Sequence, residues 1–402
     1  MIKPLRIVGA LLFRHYYEPI IERGELYTTD QVVAEAHPRA LTVNLEGYRI
    51  FPGMVNAHDH LEMNHYPRTK FREKYDNAHQ WGEDVNTRLD ETPFKELRAY
   101  PIEDRCFIGG LKNLLCGALT VIHHNPPYPV LFRRGFPVRV IKDYSWTHSL
   151  HFSSAADIKR SYARKSINTN WYIHLAEGTD EEAGGEYQRL KMLLGISSYM
   201  KVILIHCVGM TAEDVYQAGL SRDGVQGFIW CPSTNLYLLG KTIDVDLVDN
   251  RANVNTLGLG SDSRLTADGD YLDEIRAAYA VLCVQGLENP ERLLHRMIVL
   301  DGAHLALIDA LYGYCKPGAP ADWIAHPQGS EIYRLHRADL SLIVRGGVPQ
   351  IGDPALMEKF PHIKTVEATL DGVPKSINVQ LARQIKRCSL KEPGLEIMGK
   401  VN

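Results

Sequence analysis

Two histidines separated by one residue, His58 and His60, have the types and the spacing best suited to chemistry in this chain. They follow a short apolar run, residues 51–57. Alternate side chains of a strand point to the same face, so both imidazoles would leave one face at the carboxyl end of that strand. Two such side chains can hold one metal ion. Because the chain has 17 histidines, this pair alone is weak support for a metal site.

Three later apolar runs also end in a residue that can bind a metal ion. The first ends in His174, the second in His206 and the third in Asp262. Short apolar runs of this kind are typical of strands in a buried parallel sheet. A set of strands that each end in His or Asp is hard to explain by hydrogen-bonded core residues alone. We therefore predict that these side chains meet at one metal centre.

The order of these motifs resembles that of the amidohydrolase superfamily, in particular its cytosine deaminases, guanine deaminases and triazine hydrolases. The resemblance covers about residues 40–325 and implies a metal-dependent hydrolase. It identifies the superfamily and leaves the subfamily open. The matching segments are PGMVNAHDHL at 52–61, GALTVIHH at 117–124, HLAE at 174–177, HC at 206–207, CPSTNLYL at 231–238, LGLGSDS at 257–263 and GAPADW at 318–323.

The resemblance and the length of the chain together predict an α/β fold with a (β/α)8 TIM-type barrel. Such a barrel typically takes ~250 residues, and the chain has 402. The family usually adds a small β-sandwich built from both chain ends. We therefore expect the barrel over 52–315 and a composite β-sandwich domain over 1–51 and 316–402.

The strand–helix alternation that such a barrel requires can be placed coarsely along the chain. Seven strands are clear, and a fourth in barrel order is expected near 145–152. The room for a complete unit there is tight, so either the barrel is trimmed or the boundaries are misplaced. The predicted strands are 52–57, 118–123, 137–142, 171–175, 202–206, 226–231 and 256–261, and the predicted helices are 103–115, 181–194, 211–218 and 271–285.

The resemblance also implies the ligands of the metal. His58, His60, His174 and Asp262 would hold one divalent ion, with Zn²⁺ preferred and Fe²⁺ left open because both suit this donor set. A bound ion lowers the pKa of its water from 15.7 toward ~7. No lysine is placed at the end of the fourth strand to bridge two ions, which favours a single ion.

Three residues match catalytic positions of the family, and one of them, Asp262, is also a proposed metal ligand. His206 matches a histidine that contacts the attacking water or the substrate atom under attack. Asp262 would accept a proton as well as bind the ion. Glu177, three residues after His174, matches the residue that moves protons in the deaminases. A carboxyl group in a closed pocket has a raised pKa and can carry protons.

These roles predict hydrolysis of a C–N bond, with deamination of a nitrogen heterocycle or cyclic amidine as the main hypothesis. The alternatives are hydrolysis of an amide or ring, and removal of a halide or alkylamine as in triazine hydrolases. A further alternative is a metal-binding scaffold without turnover. Segment 61–101 is expected to line or cover the pocket. The weaker substrate-binding candidates are Trp81, His124, Trp146 and Arg264.

Composition limits the partners of the chain. With 45% hydrophobic and 23% charged residues and a net charge of −3, nothing indicates a nucleic acid or a membrane surface as partner. No apolar run reaches the ~18 residues of a membrane span. Seven cysteines without paired spacing indicate reduced thiols and a cytoplasmic protein. We expect a small heterocyclic substrate, and we leave open a homodimer or a higher homo-oligomer.

Overall fold

The structure, a computed structural model, describes residues 2–15, 20–166, 168–195, 201–219, 225–250, 253–254, 256–308, 311–313 and 315–399. The strands are β1 Leu5–Val8, β2 Leu11–His15, β3 Ile20–Arg23, β4 Leu26–Thr29, β5 Val32–Ala34, β6 Leu41–Asn44, β7 Tyr48–Pro52, β8 Met54–Asp59, β9 Ala118–His123, β10 Arg139–Val140, β11 Ser145–Thr147, β12 Trp171–Leu175, β13 Val202–His206, β14 Val225–Trp230, β15 Asp249–Asn250, β16 Asn253–Val254, β17 Leu257–Leu259, β18 Trp323–Pro327, β19 Leu342–Arg345, β20 Val348–Gly352, β21 Thr365–Leu370, β22 Val373–Asn378 and β23 Leu395–Ile397.

The helices lie mainly between the strands of the middle of the chain. They are α1 Ala78–Asn86, α2 Phe94–Arg98, α3 Ile102–Leu115, α4 Ala155–Ala163, α5 Glu181–Leu194, α6 Ala212–Gly219, α7 Pro232–Leu239, α8 Val245–Val248, α9 Tyr271–Val284, α10 Pro290–Arg296, α11 Gly302–Leu305, α12 Pro354–Met357 and α13 Val379–Arg387, with a π-helical turn at Met297–Asp301.

Local sequence signals explain where the longer helices begin and end. Helix α5 begins after Asp180, whose side chain accepts a hydrogen bond from the Ala183 N–H, and it ends at Gly195 with a left-handed φ of 61°. Helix α9 begins with a capping box formed by Asp270 and Asp273. Such caps satisfy backbone groups that the helix itself leaves unpaired, which is why these helices start close to the predicted positions.

Eight strands of the middle region run parallel in two sheets. One sheet has the order β10-β9-β8 and the other the order β11-β12-β13-β14-β17. Every residue of β8, β9, β12 and β13 is buried, which accounts for their nearly continuous apolar sequences. The sheets meet where the His60 N–H donates to the Asp262 carbonyl at 3.1 Å and the Asp262 N–H donates to the His58 carbonyl at 3.0 Å. The fold is therefore mixed α/β with parallel sheets.

Three predicted strands, 118–123, 171–175 and 202–206, have the observed bounds of β9, β12 and β13. The other strands shift at their ends. The predicted strand 137–142 is only two residues long, because β10 spans Arg139–Val140.

The fourth strand of the parallel set is β11, at the start of the predicted segment 145–152. Residues 141–144, all of which are described, contain no helix, so β10 is followed by β11 without the usual helical connection. The alternation of strands and helices therefore lacks one helix, the helix expected between β10 and β11. No backbone ladder between β10 and β11 is found among the described residues, and closure of the strands into a barrel stays a prediction.

Strands from both chain ends share one nine-stranded sheet of order β23-β21-β22-β20-β19-β18-β7-β2-β3. The link between the ends is the antiparallel pair β18–β7, in which Trp323 lies opposite Pro52. A second sheet, β5-β4-β1-β6, packs with it around a shared core that includes Leu5, Ile7 and Val344. The division of the chain into two domains at the predicted boundaries stays a prediction. None of the described helices combines the length and the apolarity needed to cross a membrane.

Candidate metal centre and active site

Four side chains at the ends of parallel strands converge on one point, and we call them the strand-end cluster: His58, His60, His174 and Asp262. One ring nitrogen from each of the three histidines lies within 4.8 Å of the others. The Nε2 atoms of His58 and His174 are 3.1 Å apart. Asp262 Oδ1 lies 3.5 Å from His58 Nε2 and 3.3 Å from His60 Nε2. The predicted ligands are thus brought together by β8, β12 and the residues after β17.

Glycines of the Leu-Gly-Leu-Gly segment let the strands approach closely enough for this. A Cβ atom on Gly260 would lie 2.6 Å from His58 Cβ, a distance that real side chains do not reach. A Cβ atom on Gly258 would lie 2.9 Å from Ala57 Cβ. Any side chain at these positions would push β17 away from β8 and separate Asp262 from the histidines.

Neighbouring groups orient the donor atoms toward one another. The His148 carbonyl accepts a hydrogen bond from His174 Nδ1 at 3.0 Å, so the lone pair of His174 lies on Nε2, which faces His58. Asp262 Oδ2 accepts hydrogen bonds from Thr234 Oγ1 at 3.1 Å and Thr266 Oγ1 at 2.8 Å. Oδ1 is the oxygen that faces the imidazoles. Support of this kind is usual around metal ligands.

Burial sets the charge of the cluster. Burial lowers the pKa of His58 and lowers that of His174 well below the usual range, so both imidazoles are neutral. Burial alone would raise the pKa of Asp262, but the hydrogen bond from His58 and the adjacent imidazoles outweigh it and lower the pKa. Metal ligands must be deprotonated, and His58, His174 and Asp262 offer two neutral nitrogens and a carboxylate. The donor set therefore fits a single divalent ion such as Zn²⁺ or Fe²⁺.

Glu177 lies beside the cluster, with its Oε2 atom 3.5 Å from His206 Nε2 and its side chain 14% exposed. Burial raises the pKa of Glu177 well above the usual range, and the negative charges of Asp262 and Glu186 raise it further. The protonated acid is therefore favoured. A carboxyl group in this state can donate a proton to a group that enters the site.

His206 is held in one tautomer by a chain of hydrogen bonds. Asn235 Nδ2 donates to His206 Nδ1 at 2.9 Å, and Asn235 Oδ1 accepts from Thr242 Oγ1 at 3.3 Å. Burial lowers the pKa of His206 to about 3, so the ring is neutral and its proton is on Nε2, which faces Glu177. Asn235 and Thr242 were not predicted as site residues, although Asn235 lies in the quoted CPSTNLYL segment.

The backbone is unusual at the ends of three strands. Ala176, His206, Cys207 and Asp262 all have positive φ, between 52° and 72°. Residues with a side chain rarely adopt this conformation, and each instance costs of order ~1–3 kcal/mol. The strain turns the chain sharply at the end of each strand, which aims Glu177, His206 and Asp262 at the same space.

A cavity of about 440 Å³ opens over the strand-end cluster. Its floor includes His60, Glu177 and Asp262, and its walls are mostly apolar. Segment 61–101, with α1 and α2, supplies much of the wall, including Trp81 and Phe94. The position of segment 61–101 agrees with the prediction that it lines the pocket.

Of the weaker substrate-binding candidates, only Trp81 lines the cavity. His124 lies behind the cavity wall and stacks on His174, with the ring centroids 4.4 Å apart. Its Nε2 donates a hydrogen bond to the Thr147 carbonyl at 3.0 Å. Trp146 packs edge-on against His124 at 5.4 Å. These two rings support the cluster from behind rather than face a substrate.

Arg264, the last of the weaker substrate-binding candidates, lies in a different environment. Its guanidinium forms two hydrogen bonds to the carboxylate of Glu392, at 2.9 and 2.5 Å, and Glu392 is buried. Arg264 is not among the described residues that line the cavity. Its position next to Ser263 in sequence suggested a substrate anchor, but its long side chain turns toward the C-terminal segment.

The sequence analysis missed His148 and Phe152, which line the cavity. Burial lowers the pKa of His148 to about 4, so it is a neutral polar group in the wall. Both residues lie in segment 145–152, which was predicted as a strand. The strand is only three residues long, and the direction of side chains beyond it could not be deduced from a period of two.

Comparisons with known proteins agree on the fold. No protein-family model matches the chain, and no curated protein matches its sequence. A triazine hydrolase variant is 15% identical, with a TM-score of 0.70, over 90% of this chain and 98% of that chain. An adenosine deaminase from Xanthomonas campestris with bound zinc is 15% identical, with a TM-score of 0.61, over 86% and 92%. An aminofutalosine deaminase from Helicobacter pylori, in complex with methylthio-coformycin, is 14% identical, with a TM-score of 0.58, over 86% and 99%. At this level of identity the likenesses show a shared fold, and they agree with the mixed α/β fold with parallel sheets that the structure has.

Proposed function

We propose that this chain is a metal-dependent hydrolase that deaminates a nitrogen heterocycle or a cyclic amidine. The observation that supports this most strongly is the juxtaposition in one cavity of the strand-end cluster with Glu177, whose pKa is raised by burial. His58, His60, His174 and Asp262 would hold one ion, with Zn²⁺ as the preferred metal. When bound, such an ion supplies a water that loses a proton readily at neutral pH.

The residues of the chain account for the proton movements. In deamination, water adds its oxygen to the carbon that bears the amino group. Protonated Glu177 gives its proton to the adjacent ring nitrogen, and Asp262 accepts a proton from the water. The carbon–nitrogen bond then breaks toward nitrogen. The amine leaves as ammonia with the proton from Asp262, while Glu177 recovers a proton from the new hydroxyl group as the carbonyl forms.

His206 would assist without changing its protonation state. Its Nε2–H lies 3.5 Å from Glu177 and can donate a hydrogen bond to the oxygen that attacks the ring. Asn235 fixes this tautomer from the other side of the ring. The mostly apolar wall, with Val85, Phe94 and Phe152, favours a planar heterocycle that carries an apolar substituent.

The same site could remove a halide or an alkylamine. Glu177 can protonate a ring nitrogen whichever group leaves, and one neighbour in fold is a triazine hydrolase variant. Amide or ring hydrolysis is a further alternative. A scaffold without turnover would not need a proton carrier beside the ligands, and the Glu177–His206 pair argues against it.

Several broader expectations accompany this proposal. We propose that the eight parallel strands close into a (β/α)8 barrel over 52–315. We also propose that 1–51 and 316–402 form the composite β-sandwich domain. A cytoplasmic location and a homo-oligomeric state remain predictions of the sequence.

The direct test is product analysis on a panel of aminated, chlorinated and alkylamino heterocycles, with ammonia, chloride and amine measured separately. We expect ammonia release. Glu177→Gln should keep the ion and lower turnover by ~10²–10⁴-fold, the usual scale for a positioned acid or base. Exposed Glu396 provides the matched control, because Glu396→Gln makes the same change away from the site. Near-wild-type turnover in Glu177→Gln, or loss of its ion, would contradict the proposal. Release of chloride or alkylamine without ammonia would favour the triazine hydrolase alternative.

A further inference from the structure

A second group of nitrogen and oxygen donors lies beside the cavity, with one member in the cavity lining and two in the lining of a neighbouring pocket. It consists of His79, His151 and Glu182, which we call the entrance cluster. Their ligand atoms lie within 4.8 Å of one another. His79 belongs to α1, His151 to the segment after β11, and Glu182 to the first turn of α5. Three separate parts of the chain therefore meet here.

A carboxylate oxygen lies near the Nε2 atom of each imidazole, and the one beside His151 forms a hydrogen bond with it. His79 Nε2 lies 3.3 Å from Glu186 Oε1, and His151 Nε2 lies 2.9 Å from Glu83 Oε1. The two rings stack with centroids 4.4 Å apart and an interplanar angle of 11°. Imidazole lone pairs lie in the ring plane, so the partly exposed His151 ring turns when both residues bind one ion. Carboxylates in this position orient an imidazole so that its other nitrogen can bind a metal ion.

The other nitrogen of His79, Nδ1, is not satisfied by a hydrogen bond from any described residue. His79 Nδ1 is buried and forms no hydrogen bond within the described part of the chain, and the side chain is only 9% exposed. The nearest carboxylate oxygen, Glu182 Oε1, lies 3.9 Å away, which is too far for a hydrogen bond. Zinc binds nitrogen and carboxylate oxygen at about 2.0–2.2 Å, so a zinc ion would fit between two atoms at this separation.

We propose that the entrance cluster binds a second zinc ion through His79 Nδ1, one ring nitrogen of His151 and a carboxylate oxygen of Glu182. The donors are two nitrogens and one oxygen, a set that suits zinc. The side chains of His151 and Glu182 are 32% and 46% exposed, so the ion exchanges with solvent more readily than an ion at the strand-end cluster.

A zinc ion here would fasten the wall of the cavity to the turn that carries Glu177. The Ala78 N–H, next to His79, donates to the Glu177 carbonyl at 2.8 Å. Glu186, whose Oε1 lies 3.3 Å from His79 Nε2, accepts a hydrogen bond from the Ala176 N–H at 2.6 Å. The second ion therefore stabilises α1 and the Glu177 turn together, whereas the first ion is bound by strand ends.

The test is a Zn²⁺ titration of the purified protein that already holds its tightly bound ion, followed by calorimetry and elemental analysis. We expect a second, weaker binding event, and a rise in Tm with added Zn²⁺ because an ion that binds the folded chain stabilises it. His151→Gln and Glu182→Gln, which change exposed side chains, should each weaken this event at least tenfold. Glu83→Gln should weaken it by ~10–100-fold, as expected for a carboxylate that orients a ligand.

His362→Gln is the matched control, because it removes an exposed histidine elsewhere, and it should leave the second event unchanged. His58→Ala should remove the tight ion and retain the second event, which separates this inference from the proposed function. Absence of a second event in the wild type would overturn the inference. So would a second event that is as strong in His151→Gln and Glu182→Gln as in the wild type.

Discussion

The strand-end cluster and the entrance cluster use similar residues but are built in different ways. In the first, the side chains of His58, His60 and Asp262 are 1%, 8% and 10% exposed, and their backbones belong to neighbouring strand ends. In the second, His151 and Glu182 are much more exposed and lie on a loop and a helix. Burial and a rigid sheet fix the first set of donors. The second set depends on the docking of separate segments.

The base of the strand-end cluster is also supported by a buried polar network. Asp59, between the two ligand histidines, lies 2.9 Å from Lys112 Nζ, and both side chains are fully buried. Asp59 also accepts hydrogen bonds from Asn64 at 2.7 Å and Asn113 at 2.8 Å. The buried network thus supports the strand that carries His58 and His60. The comparison suggests that the floor of the site, which we call its base, is rigid and that the entrance is adjustable.

The largest expected effect comes from the strand-end cluster itself. His58→Ala or His60→Ala should lose the tightly bound ion and with it all turnover, because each removes a donor that no neighbour can replace. Elemental analysis of the purified variants measures this. Retention of one tightly bound ion per chain in both variants would show that the ion lies elsewhere.

Lys112→Met tests the support beneath the cluster. It leaves the carboxylate of Asp59 buried without its cation, and such a change typically costs about 3–5 kcal/mol of stability. Chemical denaturation of the protein measures the free energy of unfolding. The double variant Lys112→Met with Asp59→Asn removes both charges and should recover part of the loss. If the Lys112→Met variant were as stable as the wild type, the stability of the floor of the site would not depend on the Lys112–Asp59 pair.

Glu274 should make the stability of the base depend on pH. It accepts a hydrogen bond from the Ser233 N–H at 3.0 Å, and Thr234, the next residue, donates to Asp262. Burial raises the pKa of Glu274 to about 8 from 4.5, against the hydrogen bonds from Ser233. The folded chain therefore keeps a proton that the unfolded chain loses. The stability from this group is fully present below pH about 4.5 and is lost as the pH rises to about 8.

The side chain introduced by Glu274→Gln has no carboxyl group to titrate, so the variant should lose this part of the pH dependence of stability. Denaturation of both proteins across the same pH range measures the difference in unfolding free energy between them. That difference should change through the window, with the wild type losing stability relative to the variant as the pH rises. Glu396→Gln, at an exposed site, should show no such change, and parallel curves for Glu274→Gln would refute the assignment.

The smallest effect is expected at the entrance. Without added zinc, Glu182→Gln should change the free energy of unfolding by no more than about 0.5 kcal/mol, as is usual for exposed side chains. Thermal denaturation in the presence of a chelator that leaves the tight ion in place measures this. A loss of several kcal/mol would mean that Glu182 supports the fold without an ion, and the contrast between base and entrance would disappear.

The sequence indicated the base of the site much better than its walls. The strands β9, β12 and β13 were placed correctly because buried parallel strands have short, nearly continuous apolar sequences. His174 and His206 could be assigned because each ends such a run. By contrast, His148 follows a strand of three residues, too short to give a periodic signal.

The positions of long side chains were also difficult to predict from the sequence. Arg264 directly follows the Gly-Ser-Asp-Ser segment, yet its guanidinium reaches Glu392, 128 residues further along the chain. Short strand-end side chains are aimed by the backbone, whereas a long flexible one follows its strongest partner. That partner was not visible in the sequence.

The sequence by itself determined the polar residues that end the parallel strands, since strand period and burial direct those side chains to one edge. Only the tertiary structure decided the remainder: the absence of a helix between β10 and β11, the tautomer of His206, the Lys112–Asp59 pair and the entrance cluster. Each of these depends on contacts between segments far apart in the chain. Local sequence preference does not encode such contacts, because they arise only when the sheets and helices pack.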